Sequence, residues 1–155
     1  MSKHSKIILL SSLLSLIVSI YIEFVKHKMR EDKDYVPVCD INEMKCSKVM
    51  TSEYAVGFGL TFLPESLQLS NSLYGIVFYI VMIAISFSDN IVAVEIQLFL
   101  ASISSWLSIY LAYVLFYIIQ DICVFCVLIY VLNFITVVVT YKKYNCLKSK
   151  KTKRQ

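Results

Sequence analysis

The chain has 155 residues, the size of one domain, yet 58% of it is hydrophobic, only 17% is charged and the mean hydropathy is +0.70. That balance excludes an ordinary water-soluble surface and intrinsic disorder, and three Gly with two Pro exclude a loop-rich or collagen-like chain. The net charge of +4 does not point to nucleic acid, because seven of the fifteen Lys and Arg (Lys142, Lys143, Lys148, Lys150, Lys151, Lys153, Arg154) follow the last apolar run, as on the cytoplasmic flank of a membrane span. An all-α protein integral to a membrane is expected.

The first apolar run covers 7–25, with Lys3 and Lys6 before it and Lys26, Lys28 and Arg30 after it. No small-x-small cleavage site follows, and about 19 residues exceed the apolar core of a signal peptide, so a retained signal-anchor span is expected. Residues 26–70 form a solvated loop with six Lys/Arg, seven Asp/Glu and both prolines, Pro37 and Pro64. Its apolar stretch from Phe58 to Leu63 is too short to span and is expected either to dip into the membrane interface or to cover the helices. Spans two to four follow at about 71–88, 91–119 and 122–141, separated by Ser88-Asp89-Asn90 and by Gln120-Asp121, with Asp121 as helix N-cap. Four spans with short second and third turns make an up-down four-helix bundle. An even number puts both termini on one side, and the basic tail 142–155 makes that side cytoplasmic. Lys151 and Lys153 stand fifth and third from the C-terminus, like a cytosolic dilysine retrieval signal or simply a solvated flank.

Five cysteines are present: Cys39, Cys46, Cys123, Cys126 and Cys146. A Cys-x-x-Cys pair is weak by itself, since five cysteines scattered at random put some pair three apart about one time in eight. Placement strengthens it. Cys123 and Cys126 stand at the start of the fourth span, where helix N-terminal amides favour a thiolate and positions i and i+3 lie close enough for a disulfide. Span parity puts Cys39 and Cys46 on the same, non-cytoplasmic face, where disulfides persist. A loop pair that meets soluble partners and a helix pair that meets a lipid-soluble substrate suit a dithiol relay working through mixed disulfides. Zinc binding competes, although six residues between Cys39 and Cys46 exceed the usual two to four. Two structural disulfides compete as well. Cys146 lies outside the relay as a plain thiol or an acylation site.

Polar residues within the spans are few and informative. Asn71 opens span two on the face of Cys123, and Tyr130 is one turn deeper than Cys126 on its helix face. An amide and a hydroxyl beside a thiol pair can hold the two carbonyl oxygens of a lipid-soluble ring, with Phe78, Tyr74 and Tyr79 as walls. The bland alternatives are a helix cap for Asn71, an aromatic belt for Tyr130 and plain packing for the rings.

The segments Asp34-Tyr35, Cys39-Asp40, Cys46-Ser47-Lys48-Val49, Gly57-Phe58-Gly59-Leu60, Ser70-Asn71-Ser72-Leu73-Tyr74-Gly75 and Asp121-Ile122-Cys123-Val124-Phe125-Cys126 with Tyr130 are each short, but in order and spacing the chain resembles the vitamin K epoxide reductase family. The resemblance implies a four-helix bundle in the endoplasmic-reticulum membrane with a large luminal loop and cytosolic termini. It implies reduction of vitamin K epoxide to the quinone and then the hydroquinone, in support of glutamate carboxylation, with vitamin K as substrate and no permanently bound cofactor or metal. In that scheme Cys126 attacks the ring and Cys123 resolves it, forming a redox-active Cys123–Cys126 disulfide. Cys46 passes electrons to Cys123, and Cys39, paired with Cys46, receives them from luminal thioredoxin-like partners. Asn71 and Tyr130 match positions that hold the substrate carbonyls and coumarin anticoagulants, with Phe78 beside them. The loop cysteines are one residue closer than in vertebrate members, Met50 replaces a common Phe, and Tyr54-Ala55 stands where Trp-Gly is usual. A quinone-linked enzyme that oxidises protein thiols, and a non-catalytic four-span protein, are the alternatives.

Overall fold

A computed structural model of the chain describes residues 2–40, 45–60 and 64–152. Among these it is helical throughout, apart from an isolated bridge between Val56 and Ser70. Helix α1 (Lys3–Glu31) starts where the Ser2 hydroxyl accepts the Ser5 N–H at 3.1 Å, and it ends at the extended Asp32. Its 29 residues reach about 44 Å.

The two faces of α1 are inverted relative to a soluble helix. Ser5, Ser11, Ser12, Ser15 and Ser19 are buried, while Leu10, Leu14, Ile17, Ile20 and Phe24 are exposed. Lipid is as apolar as leucine, so nothing drives leucine inward, and small residues gain by letting helices approach closely. At Gly75 of α3 (Asn71–Ser86) a Cβ would stand 3.0 Å from the Ser19 hydroxyl, which shows how near the two helices come.

Helix α4 (Ile91–Tyr113) is capped by Asn90, whose side chain accepts the Val92 N–H at 3.0 Å. It runs into a wider π-type turn over Val114–Ile119 and stops at Gln120 in the left-handed conformation (φ 56°). Helix α5 (Val124–Thr152) returns alongside. Helix α1 packs on α3 and α5, and α4 packs on α5. The helices over Lys3–Glu31, Ile91–Ile119 and Val124–Lys151 are long and apolar enough to cross a membrane, the mark of a multi-pass membrane protein; α3 is apolar but shorter.

Two expectations change. The fourth helix does not give way to a tail at 142. It continues to Thr152, because nothing between Lys142 and Thr152 is Gly or Pro. Nor does Lys143 belong to a solvated flank: at 2% exposure its ammonium donates to the Ser88 carbonyl at 2.8 Å and pairs with Asp89 at 3.3 Å. Ser5 donates to the same carboxylate, which joins α1, the α3–α4 turn and α5. Lys153, half of the dilysine pattern, lies outside the described residues.

The segment between α1 and α3 folds over one end of this assembly. The short helix α2 (Cys46–Thr51) packs on α1, and three 3-10 turns follow at Glu53–Ala55, Gly57–Gly59 and Glu65–Leu67. Ile22, Val25, Val49, Met50 and Leu115 form one buried cluster with Cys39, Cys46 and Cys123, and Cys126 packs against it.

Candidate active site

Cys39 and Cys46 are joined as a disulfide, with Cα atoms 5.8 Å apart. Cys39, Asp40 and Cys46 bring their ligand atoms within 4.8 Å of one another, but the disulfide takes both sulfurs. The Asp40 carboxylate accepts the Ser47 N–H at 2.9 Å and its hydroxyl at 2.5 Å, holding the first turn of α2. Lys48 on α2 reaches the next junction. Its ammonium donates to the Ile119 carbonyl at 3.2 Å and pairs with Asp121 at 2.5 Å. Asp121 is therefore a partner of Lys48 and not the N-cap of α5. That role falls to Cys123: its carbonyl accepts the Val127 N–H, and its sulfur accepts the Cys126 N–H at 3.4 Å.

The Cys123 sulfur also accepts the Cys126 thiol at 2.7 Å. This hydrogen bond holds the Cys123 thiol below its usual range. The N–H groups of Cys126 and Phe125 act in the same direction, while burial and the Asp40 carboxylate oppose them. The helix pair is thus a sulfur acceptor at Cys123 beneath a thiol donor at Cys126.

Cys126 opens onto an apolar cavity of about 420 Å³ whose wall includes Asn71, Tyr130, Phe78, Tyr74 and Tyr79. The amide of Asn71 can be oriented only one way, because its Oδ1 accepts the Phe58 N–H at 2.8 Å and its Nδ2 donates to the Tyr54 carbonyl at 2.7 Å. It stands within the first turn of α3 and caps nothing. The Tyr130 hydroxyl has no hydrogen-bond partner among the described residues. Phe58 covers the helices: it lines the cavity, packs on Tyr74 with centroids 5.2 Å apart, and offers its carbonyl to the Tyr110 hydroxyl at 3.3 Å. Residues 57, 58 and 59 all have positive φ (52°, 58° and 73°). Glycine supplies that conformation freely on either side, while Phe58 is strained there, at a cost of about 1–3 kcal/mol. Thr61, Phe62 and Leu63 of the same apolar stretch lie outside the described residues.

The sequence profile described as the vitamin K epoxide reductase family matches residues 6–141, which takes in every residue of this site. The chain belongs to the vitamin K epoxide reductase family. It is 32% identical over 145 residues to vitamin K epoxide reductase complex subunit 1 of Mus musculus, covering 90% of this chain and 89% of that protein. It is 31% identical over 137 residues to the protein of the same name from Rattus norvegicus, covering 84% of each. Membership of the vitamin K epoxide reductase family marks the chain as an oxidoreductase, and the disulfide beside the Cys123–Cys126 pair accords with a redox-active centre.

In this vitamin K epoxide reductase family member, sequence reasoning missed three polar residues around the cavity. Asn133 lines it, accepting the Tyr79 hydroxyl at 2.9 Å and donating to Ser108 at 2.9 Å. The rule that singled out Asn71 and Tyr130, a polar residue inside a span, reaches Asn133 as well. Lys26 lines the cavity at 8% exposure, donating to the Ala55 carbonyl at 3.2 Å and to the Ser70 hydroxyl at 2.9 Å. Ser19 also lines it, with a buried hydroxyl that has no partner among the described residues. Lys26 sits in a run of flanking charges and carries no local sign that it turns inward.

Proposed function

We infer that this chain reduces a lipid-soluble quinone of the vitamin K class, taking the epoxide to the quinone and the quinone to the hydroquinone, with the Cys123–Cys126 dithiol as the immediate reductant. One observation carries this reading: Cys126, Asn71 and Tyr130 share the wall of a single apolar cavity, with the N-capped Cys123 directly beneath the reacting sulfur. The Cys126 sulfur bonds to the ring. Cys123 then attacks that sulfur, the carbon–sulfur bond breaks, its electron pair stays with the ring, and a Cys123–Cys126 disulfide forms. The Tyr130 hydroxyl and the second hydrogen of the Asn71 amide donate to ring oxygens as negative charge builds on them.

The loop pair Cys39 and Cys46, once reduced by a thioredoxin-like protein, returns two electrons to Cys123 by thiol–disulfide exchange. Its packing in one cluster with Cys123 supports this order. A lipid tail leaves through the groove lined by Leu69, Leu73, Val77 and Val81, which shares Tyr74, Phe78 and Leu100 with the cavity. In the membrane the three long helices and the shorter α3 form a bundle in the endoplasmic reticulum, with the disulfide loop in the lumen and the basic end of α5 in the cytosol. The excess of Lys after residue 141 supports that orientation.

The test is a reductase assay on microsomes carrying the full chain, with vitamin K epoxide and dithiothreitol. Quinone and hydroquinone should appear, and Cys126→Ala should abolish both. Wild-type microsomes that convert neither epoxide nor quinone would overturn the reading.

A further inference from the structure

A proton account of the site leaves one proton to find. Because the attacking form is a thiolate, the reduced pair brings a single proton to the reaction, whereas converting a quinone to its hydroquinone, or an epoxide to quinone and water, consumes two with the two electrons. The second proton must enter the cavity by another route, and apart from the hydroxyls of Tyr130 and Ser19 its walls are mostly apolar or held in hydrogen bonds.

Lys26 is the ammonium in that wall, and it lies within electrostatic reach of Cys126. An ammonium has three hydrogens. Ala55 and Ser70 hold two of them, and the third has no partner among the described residues. Behind Lys26 the hydrogen bonds continue without a gap: Ser70 to Ser72 at 2.6 Å, then Ser72 to the Glu23 carboxylate at 2.6 Å. Glu23 is a quarter exposed, and its other oxygen pairs with Arg30 at 3.6 Å at the surface. Three short hydrogen bonds therefore join the ammonium in the cavity wall to a carboxylate at the surface, and all four members can both give and take a proton. Among the described residues no second chain of this kind leaves the cavity.

We propose that Glu23, Ser72, Ser70 and Lys26 form a proton relay that delivers the second proton of the reduction, with Lys26 as the catalytic acid that hands it to a ring oxygen. This rests on the reading of the site as a quinone reductase. Lys26 gives one proton to the ring oxygen as the carbon–sulfur bond to Cys126 breaks, and becomes a neutral amine. The hydroxyls of Ser70 and Ser72 rotate and pass a proton inward from a protonated Glu23, which restores the ammonium. Glu23 is reloaded from the medium. The ring receives two electrons from the dithiol, one proton from the Cys126 thiol and one from the relay; no other reactant is required.

The experiment uses microsomes carrying the full chain and two readouts: turnover of vitamin K quinone with dithiothreitol, and the rate at which iodoacetamide alkylates Cys126 after reduction. Lys26→Arg keeps the charge but holds its protons. It should lose about 10²-fold in turnover with Cys126 alkylation as in wild type. Glu23→Gln still accepts from Ser72 but cannot carry a proton, and Ser72→Ala breaks the chain with a small side chain. Both should lower turnover about tenfold or more, again with unchanged alkylation. Lys26→Met should slow turnover and alkylation together, because the negative charge that the two sulfurs share loses its cation. Wild-type turnover in either Lys26→Arg or Ser72→Ala would overturn the relay. Should wild type reduce no quinone at all, the reductase reading fails by itself, and alkylation then decides: an unchanged rate in Lys26→Met overturns the role of Lys26 as well.

Discussion

Asn71 and Tyr130 stand in one cavity wall but differ in what holds them, and the difference separates their variants. The Asn71 amide ties down Tyr54 and Phe58, so Asn71→Ala removes two hydrogen bonds from a loop that already carries a strained Phe58. Each is worth about 1 kcal/mol. Turnover should fall about 10²-fold, accompanied by faster proteolysis between residues 52 and 60; a resistant loop in the variant would show that the amide does not hold it. The Tyr130 hydroxyl bonds to nothing among the described residues, so Tyr130→Phe leaves no protein partner unpaired. Protein level and melting temperature should match wild type while quinone turnover drops and coumarin binding weakens. If both activities are unchanged, Tyr130 is packing and half of the ring-holding pair is lost.

At the scale of elements, the proposed electron transfer crosses the junction of α2 with the start of α5. Lys48 draws the α2 helix, and Cys46 at its first residue, toward the Ile119–Asp121 junction that precedes Cys123. Its side chain is 57% exposed, so the pair contributes at most about 1 kcal/mol, a few-fold in the docked population. Lys48→Met should therefore slow turnover driven by a protein donor a few-fold and leave the dithiothreitol rate alone, since a small dithiol reaches the helix pair directly. Cys39→Ala should show the same contrast in stronger form. Equal losses with both reductants would mean that the loop pair does not shuttle electrons. The other end of the helices is closed by Lys143. With Lys143→Met, Ser88 and Asp89 lose a buried donor, at a cost of about 1–3 kcal/mol, so the melting temperature in detergent should fall while the ratio of protein-driven to dithiothreitol-driven turnover stays constant.

For the whole molecule, the packing is inside-out, and a cluster of Lys and Arg unbalanced by acids lies after residue 141. That arrangement makes a labelling pattern testable in intact, reduced microsomes. Cys146, exposed on the far part of α5, should react with a membrane-impermeant maleimide from the cytosolic side. Cys39, Cys46, Cys123 and Cys126 should react only after permeabilisation, and labelling of Cys39 from outside would reverse the orientation.

The sequence by itself determined the helical class, the position of each apolar run to within a few residues, and the cysteines, Asn71, Tyr130 and Phe78 as the residues to watch. These follow from local quantities: apolarity sustained over eighteen or more residues, breaks at Ser88-Asp89-Asn90 and Gln120-Asp121, and a three-residue spacing that one helical turn converts into contact. The exchange of Asp121 for Cys123 as N-cap was close to legible, since both lie within the same three residues. Only the tertiary structure decided where the charged and polar side chains go. Ser72 meets Glu23 across 49 positions, Lys26 meets Ser70 across 44, Lys48 meets Ile119 across 71 and Lys143 meets Ser88 across 55. In the sequence such residues look like solvated flanks. A lysine turns inward only where distant backbone carbonyls and hydroxyls are already in place to satisfy it, because an unpaired ammonium in an apolar interior costs far more than one left in water.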